Sequence, residues 1–176
     1  MIPIFQPSIC REAKDLAIEA IESGDVTLGP NIKQFENEFS QYCGRQYGVT
    51  CSNGTAALYL AIKALNLPAG SEIIVPSMTI ISCLTAIKEN NYVPVFCDID
   101  PTTYNVDFDS MQSKVTENTS AVIIINTYGL LVDTDKLSAF KTKNPTIKII
   151  EDASESHGAF HKDKRAGQLG DISTFS

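Results

Sequence analysis

The sequence predicts an α/β fold, a mostly parallel sheet held between helices as an α/β/α sandwich. Three observations carry this. Residues 121–125 ("AVIII") and 147–150 ("IKII") are short apolar runs with little polar alternation, the pattern of strands buried on both faces. Such runs alternate along the chain with stretches of helical periodicity, an order that implies parallel pairing. The 176 residues suffice to bury a sizeable core, and 43% hydrophobic with 20% charged residues is ordinary for a globular protein.

The elements follow in order. Residues 10–23 set Ala13, Leu16, Ala17, Ala20 and Ile21 on one helical face, with Gly24 as the stop. A second helix is expected over 30–43, opened by Pro30 and closed at Gly44, repeating Ile32, Phe35, Phe39 and Tyr42. From there strand and helix alternate: strand 47–51, helix 55–65, strand 72–76, helix 79–89 and strand 93–97, which runs into the turn Asp98-Ile99-Asp100-Pro101. Asp107 is placed to cap a helix reaching 115, followed by strand 121–125, helix 133–143 and strand 147–150. The last stretch, "GDISTFS" (170–176), reads as the opening of another strand rather than a polar tail.

Composition excludes several classes. A net charge of -7 disfavours a nucleic-acid or anionic-membrane surface. The basic stretch "HKDKR" (161–165) is short, carries an Asp, and reads as a solvated loop. Residues 1–5 lack a basic region followed by an apolar stretch, so no signal peptide is expected, and no apolar run nears the ~20 residues of a membrane helix. Five cysteines (Cys10, Cys43, Cys51, Cys83, Cys97), never spaced as Cys-x-x-Cys, suggest small core residues in a reduced, cytoplasmic setting and no structural zinc.

In open parallel sheets ligands sit at the carboxyl ends of strands. One such place reads Cys51-Ser52-Asn53-Gly54-Thr55-Ala56-Ala57-Leu58. The start of a helix there offers free amides, the helix dipole and the Thr55 hydroxyl to a phosphate. A plain N-cap fits the same residues. Another is Glu151 to Ala159, where Asp152 ends an apolar strand inside the expected crevice; a buried carboxylate needs a cationic or proton-bearing partner, unless Asp152 simply caps a helix. No Gly-x-Gly-x-x-Gly supports a nicotinamide site and no Gly-x-Ser-x-Gly a nucleophile elbow. His157 and His161 are four apart, but Gly158 between them disfavours a regular metal-binding helix, and no metal is expected.

Taken together and in order, "SNGTAAL" (52–58), "IIVPSMT" (73–79), "PVFCDID" (94–100), "YG" (128–129), "IIEDASESHGA" (149–159) and "AGQLGDISTFS" (166–176), with "TLGPNIKQFENEFSQYCG" (27–44) before them, resemble the DegT/DnrJ/EryC1/StrS sugar aminotransferases. The ending and Glu155 are most similar to the perosamine-synthase branch, which aminates the 4-keto position of a nucleotide-linked deoxysugar. The resemblance implies the large domain of a fold-type I enzyme that uses pyridoxal 5′-phosphate (PLP). Residues 1–29 would be an N-terminal arm and helix, and 30–176 an incomplete cofactor-binding domain lacking the small C-terminal domain.

By that resemblance Gly54 and Thr55 hold the cofactor phosphate together with Ser176, and Asp152, the catalytic residue, faces the pyridine nitrogen and keeps it protonated. No chemistry carries over to His157. Position 155 is often a Gln that donates to the cofactor's phenolic oxygen; an ionised Glu155 cannot donate, so it is either protonated there or bound elsewhere. Position 80 is usually an aromatic stacked on the ring, where Ile80 offers packing without a π-face. The family's "HLYG" reads "NTYG" at 126–129.

The resemblance further implies that the Schiff-base lysine follows Ser176, so the 176-residue chain alone is expected to be inactive, with neither Lys162 nor Lys164 standing in. The full reaction would pass an amino group, commonly from glutamate, to a keto-sugar nucleotide for polysaccharide or glycoside assembly, in a cytoplasmic homodimer with no nucleic-acid or membrane partner. Two alternatives stand beside it: a non-catalytic remnant or binding module, and a related PLP-dependent sugar dehydratase.

Overall fold

The computed structural model describes residues 6–24, 27 and 29–176. The expectation of no signal peptide rests on residues 1–5 and lies outside the described residues. Among those described, no helix is long and apolar enough to cross a membrane.

Five strands form one wholly parallel sheet: β1 (Glu72–Pro76), β2 (Val93–Cys97), β3 (Thr119–Ile125), β4 (Lys148–Asp152) and β7 (Ile172–Thr174), in the order β2-β1-β3-β4-β7. The apolar runs divide between two layers because successive side chains point to opposite faces. Ile73, Val75, Ala121, Ile123 and Ile150 pack with α3 (Gly54–Ala64) and α4 (Ile81–Glu89) on one side. Ile74, Val122, Ile124 and Ile149 pack with α5 (Phe108–Ser113) and α6 (Thr134–Lys143) on the other. Each buried isoleucine contributes about 1.5–3 kcal/mol. The central strands have no polar face because both faces are covered.

α5 and α6 start where polar side chains take their first amides. Asp107 accepts from the amides of Asp109 and Ser110, and Asp133 from those of Asp135 and Lys136, at 2.8–3.1 Å. Two helices precede α3: α1 (Arg11–Ser23), stopped by Gly24 at φ 79°, and α2 (Pro30–Tyr42). No side chain of α1 is buried.

Two expectations fail. Residues 47–51 are not a strand: the segment is irregular, with Tyr47 and Val49 78% and 82% exposed. A strand needs a neighbour to take its backbone groups, and no described strand pairs here. The Glu36 carboxylate instead accepts from the Thr50 amide (2.7 Å) and hydroxyl (2.8 Å), bonds that hold Glu36 below the usual carboxylate range. Residues 161–165, expected as a loop, belong to a small antiparallel hairpin of β5 (Phe160–His161) and β6 (Lys164–Arg165). The Arg165 guanidinium lies 4.1 Å from the Tyr42 ring and 4.6 Å from the Phe160 ring, an attraction periodicity does not reveal.

The strand order fixes where a ligand can enter. From β1 the chain moves outward to β2, then crosses back to β3 on the other side of β1. Loops after β1 and β3 therefore leave in opposite directions, and a crevice opens between their carboxyl ends.

The cysteines divide by position: Cys10 and Cys51 are exposed, and Cys43, Cys83 and Cys97 are buried. Burial pushes the Cys83 and Cys97 thiols up to about 12, which leaves about one thiolate in 10,000 at about pH 8. Alkylation of the native chain followed by peptide mapping should therefore modify Cys10 and Cys51 and spare the other three until denaturant is added. Early labelling of Cys83 would contradict the packing of α4 against the sheet.

Candidate functional site

The crevice at the switch point has a volume of about 430 Å³. It takes Asn53, Gly54 and Thr55 from the start of α3, Met78 to Ile80 from the loop after β1, and residues 125–128 from the end of β3. Asp152, Ser154 and Glu155 enter after β4, and Ser176 after β7. All six positions singled out in the sequence (Gly54, Thr55, Ile80, Asp152, Glu155 and Ser176) line this one cavity.

One end collects donors. Asn53 is the N-cap of α3, its side chain accepting from the Ala56 amide at 2.9 Å. The cap reading thus holds for Asn53, yet it satisfies only one of the open amides of the first turn; those of Gly54 and Thr55 have no acceptor among the described residues. Beside them, the Thr55 and Ser82 hydroxyls are 2.8 Å apart. Ser176 closes the other side. A Cβ on Gly54 would lie 2.7 Å from the Ser176 Cβ and 2.8 Å from its Oγ, so the strand end and the helix start meet this closely only because position 54 has no side chain. Amides, hydroxyls and a helix N-terminus, with no acidic side chain among them, are groups that can cradle an anion.

Asp152 is buried at the last position of β4. It does not cap a helix: Oδ1 accepts from the Ser154 amide (3.1 Å) and hydroxyl (2.6 Å), closing a turn. Oδ2 receives the Cys83 thiol at 3.7 Å, a weak sulfur bond, and Thr79 donates to that sulfur at 3.1 Å. A carboxylate takes about four hydrogen bonds; three are in place, leaving room for one more donor, such as a protonated ring nitrogen.

Glu155 has one carboxylate oxygen engaged within the loop. Its Oε2 accepts from the Tyr128 amide at 2.8 Å. That bond secures a tight turn in which Tyr128 has φ 52° and Gly129 φ 85°, leaving the Tyr128 ring 73% exposed at the cavity. Asn126, where the family has His, turns inward: its Nδ2 donates to Glu151 Oε1 at 2.8 Å and its Oδ1 accepts from the Val132 amide at 3.2 Å. Ile80 is exposed on the cavity wall. The two histidines separate: His157 lies against Phe39 and Phe175, and His161 Nδ1 is 2.8 Å from the Thr134 hydroxyl. Among the described residues no cluster fit for a metal ion is found.

Sequence reasoning missed Ser82, Ser154 and Cys83. Ser154 had a local signal, a hydroxyl two residues after the Asp it bonds. Cys83 lies 69 positions from Asp152, and nothing in its neighbours marks it.

A sequence profile of the DegT/DnrJ/EryC1/StrS aminotransferase family matches residues 7–176. The GDP-perosamine synthase of Escherichia coli O157:H7 is 37% identical over 176 residues, which are 99% of this chain and 48% of that protein. Two solved structures share the fold. The aminotransferase from Psychrobacter cryohalolentis has a TM-score of 0.90 at 31% identity, covering 97% of this chain and 43% of that one. The E. coli GDP-4-keto-6-deoxy-D-mannose-3-dehydratase, with bound hydrated PLP, has 0.88 at 31%, covering 97% and 45%. The chain spans about half the length of the curated relatives it matches.

The Gly54 contact gives a direct test. Gly54→Ala favours the helix by about 1 kcal/mol but drives Ser176 out of the cradle. Circular dichroism should show the fold retained, while affinity for inorganic phosphate, measured by calorimetry, falls about tenfold, the worth of one bond to a charged group. Unchanged affinity would mean that Ser176 is not part of the cradle.

Proposed function

The chain belongs to the DegT/DnrJ/EryC1/StrS aminotransferase family, and on that premise we propose that it is the cofactor-holding half of a PLP-dependent sugar aminotransferase. In this reading residues 30–176 form the large domain, and the whole protein moves an amino group from a donor such as glutamate to a nucleotide-linked keto-sugar. The observation that carries it is the pairing, in one crevice, of an acid-free anion cradle with a buried carboxylate that has room for one more donor.

The residues fit the cofactor at both ends. The Gly54 and Thr55 amides and the Thr55, Ser82 and Ser176 hydroxyls would hold the phosphate. Asp152, kept in place by Ser154 and Cys83, would hold a proton at the ring nitrogen. When bound, the cofactor supplies an electron sink for the carbon that loses its proton. Ile80 offers an apolar wall that keeps water from the ring. Glu155 acts on the Tyr128 turn through Oε2, and in its ionised form it donates nothing to the phenolic oxygen. Lys162 is tied to Asp135, whose bond raises its pKa and keeps it charged, and Lys164 lies beside Asp163. Neither lines the crevice, which supports placing the family's lysine outside residues 1–176.

A dehydratase is the second reading, favoured by the structural likeness to the E. coli 3-dehydratase. The products separate them: an amino sugar for the first, loss of water from the sugar for the second.

Pyridoxamine 5′-phosphate is the suitable probe, because it lacks the aldehyde that attacks any surface lysine. It should saturate one site on the chain, be displaced by inorganic phosphate, and bind at least tenfold more tightly than pyridoxamine, since the phosphate makes several charged hydrogen bonds. Equal binding of the two amines would overturn the reading.

Asp152→Asn should leave the affinity for inorganic phosphate within about threefold, because the cradle is intact. In a protein carrying the whole catalytic unit the same change should lower turnover by at least tenfold, one pKa unit at the ring nitrogen being about 1.4 kcal/mol. Near-normal turnover would reduce Asp152 to a structural turn.

A further inference from the structure

Glu151, the neighbour of Asp152, is wholly buried. Its carboxylate lies within hydrogen-bonding distance of five donors: Asn126 Nδ2 (2.8 Å), the amides of Gly167 (2.9 Å), Leu169 (2.9 Å) and Gly170 (3.4 Å), and the Ser173 hydroxyl (2.8 Å). Arg45, from the segment after α2, reaches the same loop from outside. Its guanidinium donates to the carbonyls of Gly167 and Gly170, both at 2.5 Å, and to the Ser173 Oγ at 3.3 Å.

Gly167, Gly170 and Ser173 are therefore each held twice, by an anion on one side and a cation on the other. Their dipoles align between the two charges, an arrangement in which each bond strengthens the next. The loop has little freedom to adjust. A Cβ on Gly167 would lie 3.0 Å from the Phe175 ring and 3.1 Å from Cys43, and one on Gly170 would lie 2.6 Å from the Ile172 carbonyl oxygen. Ser173 opposes Glu151 in the β4–β7 ladder, and three residues later Ser176 arrives against Gly54.

We propose that Arg45 is a positioning residue of the cradle: it clamps the 167–173 segment onto Glu151, sets the register of β7, and so fixes the Ser176 hydroxyl where a phosphate monoester binds. Arg45 touches no ligand itself. The inference rests on the reading of the crevice as a phosphate site, and its test separates the two.

The experiment is a double-mutant cycle on the chain with pyridoxamine 5′-phosphate as probe. Arg45→Met and Ser176→Ala should each weaken binding about tenfold, the scale of one bond to a charged group. The double variant should bind no more weakly than Ser176→Ala alone, because Arg45 acts through Ser176. A purely structural role would give additive losses, and either additivity or an unaffected Arg45→Met overturns the proposal. Arg45→Lys keeps the charge but not the fork, and should fall between wild type and Arg45→Met; it serves as the cycle partner if the Met variant does not fold. A ligand-free readout accompanies the cycle: the amide resonances of Gly54 and Ser176 should shift in the Arg45 variant. If the wild-type chain binds neither the probe nor inorganic phosphate, the phosphate reading fails, and shifted or unshifted resonances still support or overturn the clamp.

Discussion

Burying the Glu151 carboxylate on β4, near the carboxyl edge of the sheet, imposes a constraint that much of the molecule satisfies. A buried charge without partners is costly, and the chain meets that cost with donors from three distant places: Asn126 after β3, the amides at 167–170, and Ser173 on β7. Those bonds fix the short last strand against β4. They also hold the end of β3, where the Tyr128 turn begins. Burial, then the negative charge of Glu151, pushes the nearby Cys43 thiol up. The acid does not itself line the crevice, yet the walls on both sides of it depend on where this one carboxylate sits.

The crevice follows from topology and is then furnished by single residues. Parallel strands put every carboxyl end on one edge, and the reversal of strand order between β1 and β3 opens a gap there. The α3 amides supply an anion cradle, narrowed by a glycine that admits Ser176. Asp152 supplies an acceptor at the other end, its orientation set by Ser154 and a thiol. One pole suited to phosphate and another suited to a protonated nitrogen make a more specific demand on a ligand than either alone. That combination, more than the fold, carries the proposal that the ligand is a phosphorylated pyridine.

β1 was legible because a buried parallel strand is apolar on both faces, and it carries the bounds read from the sequence; the edge strand β2 carries its expected bounds too, although Val93 and Phe96 are exposed. Asp107 was legible as a cap because capping is local. Residues 47–51 have the same composition as a strand but pair with no strand among the described residues, and pairing is not a local property. The six candidate positions were marked by their motifs, and all face one cavity. What stayed hidden acts across long separations: Cys83 on Asp152 over 69 positions, and Arg45 on residues 122 to 128 positions away. Neither has a neighbouring signal, since its partner is chosen by the packing of the sheet.

A crystal structure of the chain grown with pyridoxamine 5′-phosphate addresses the reading of the crevice most directly. The phosphate should lie on the Gly54 and Thr55 amides within reach of the Ser176 hydroxyl, with the ring nitrogen on Asp152. A phosphate bound elsewhere, or a ring turned away from Asp152, would contradict it.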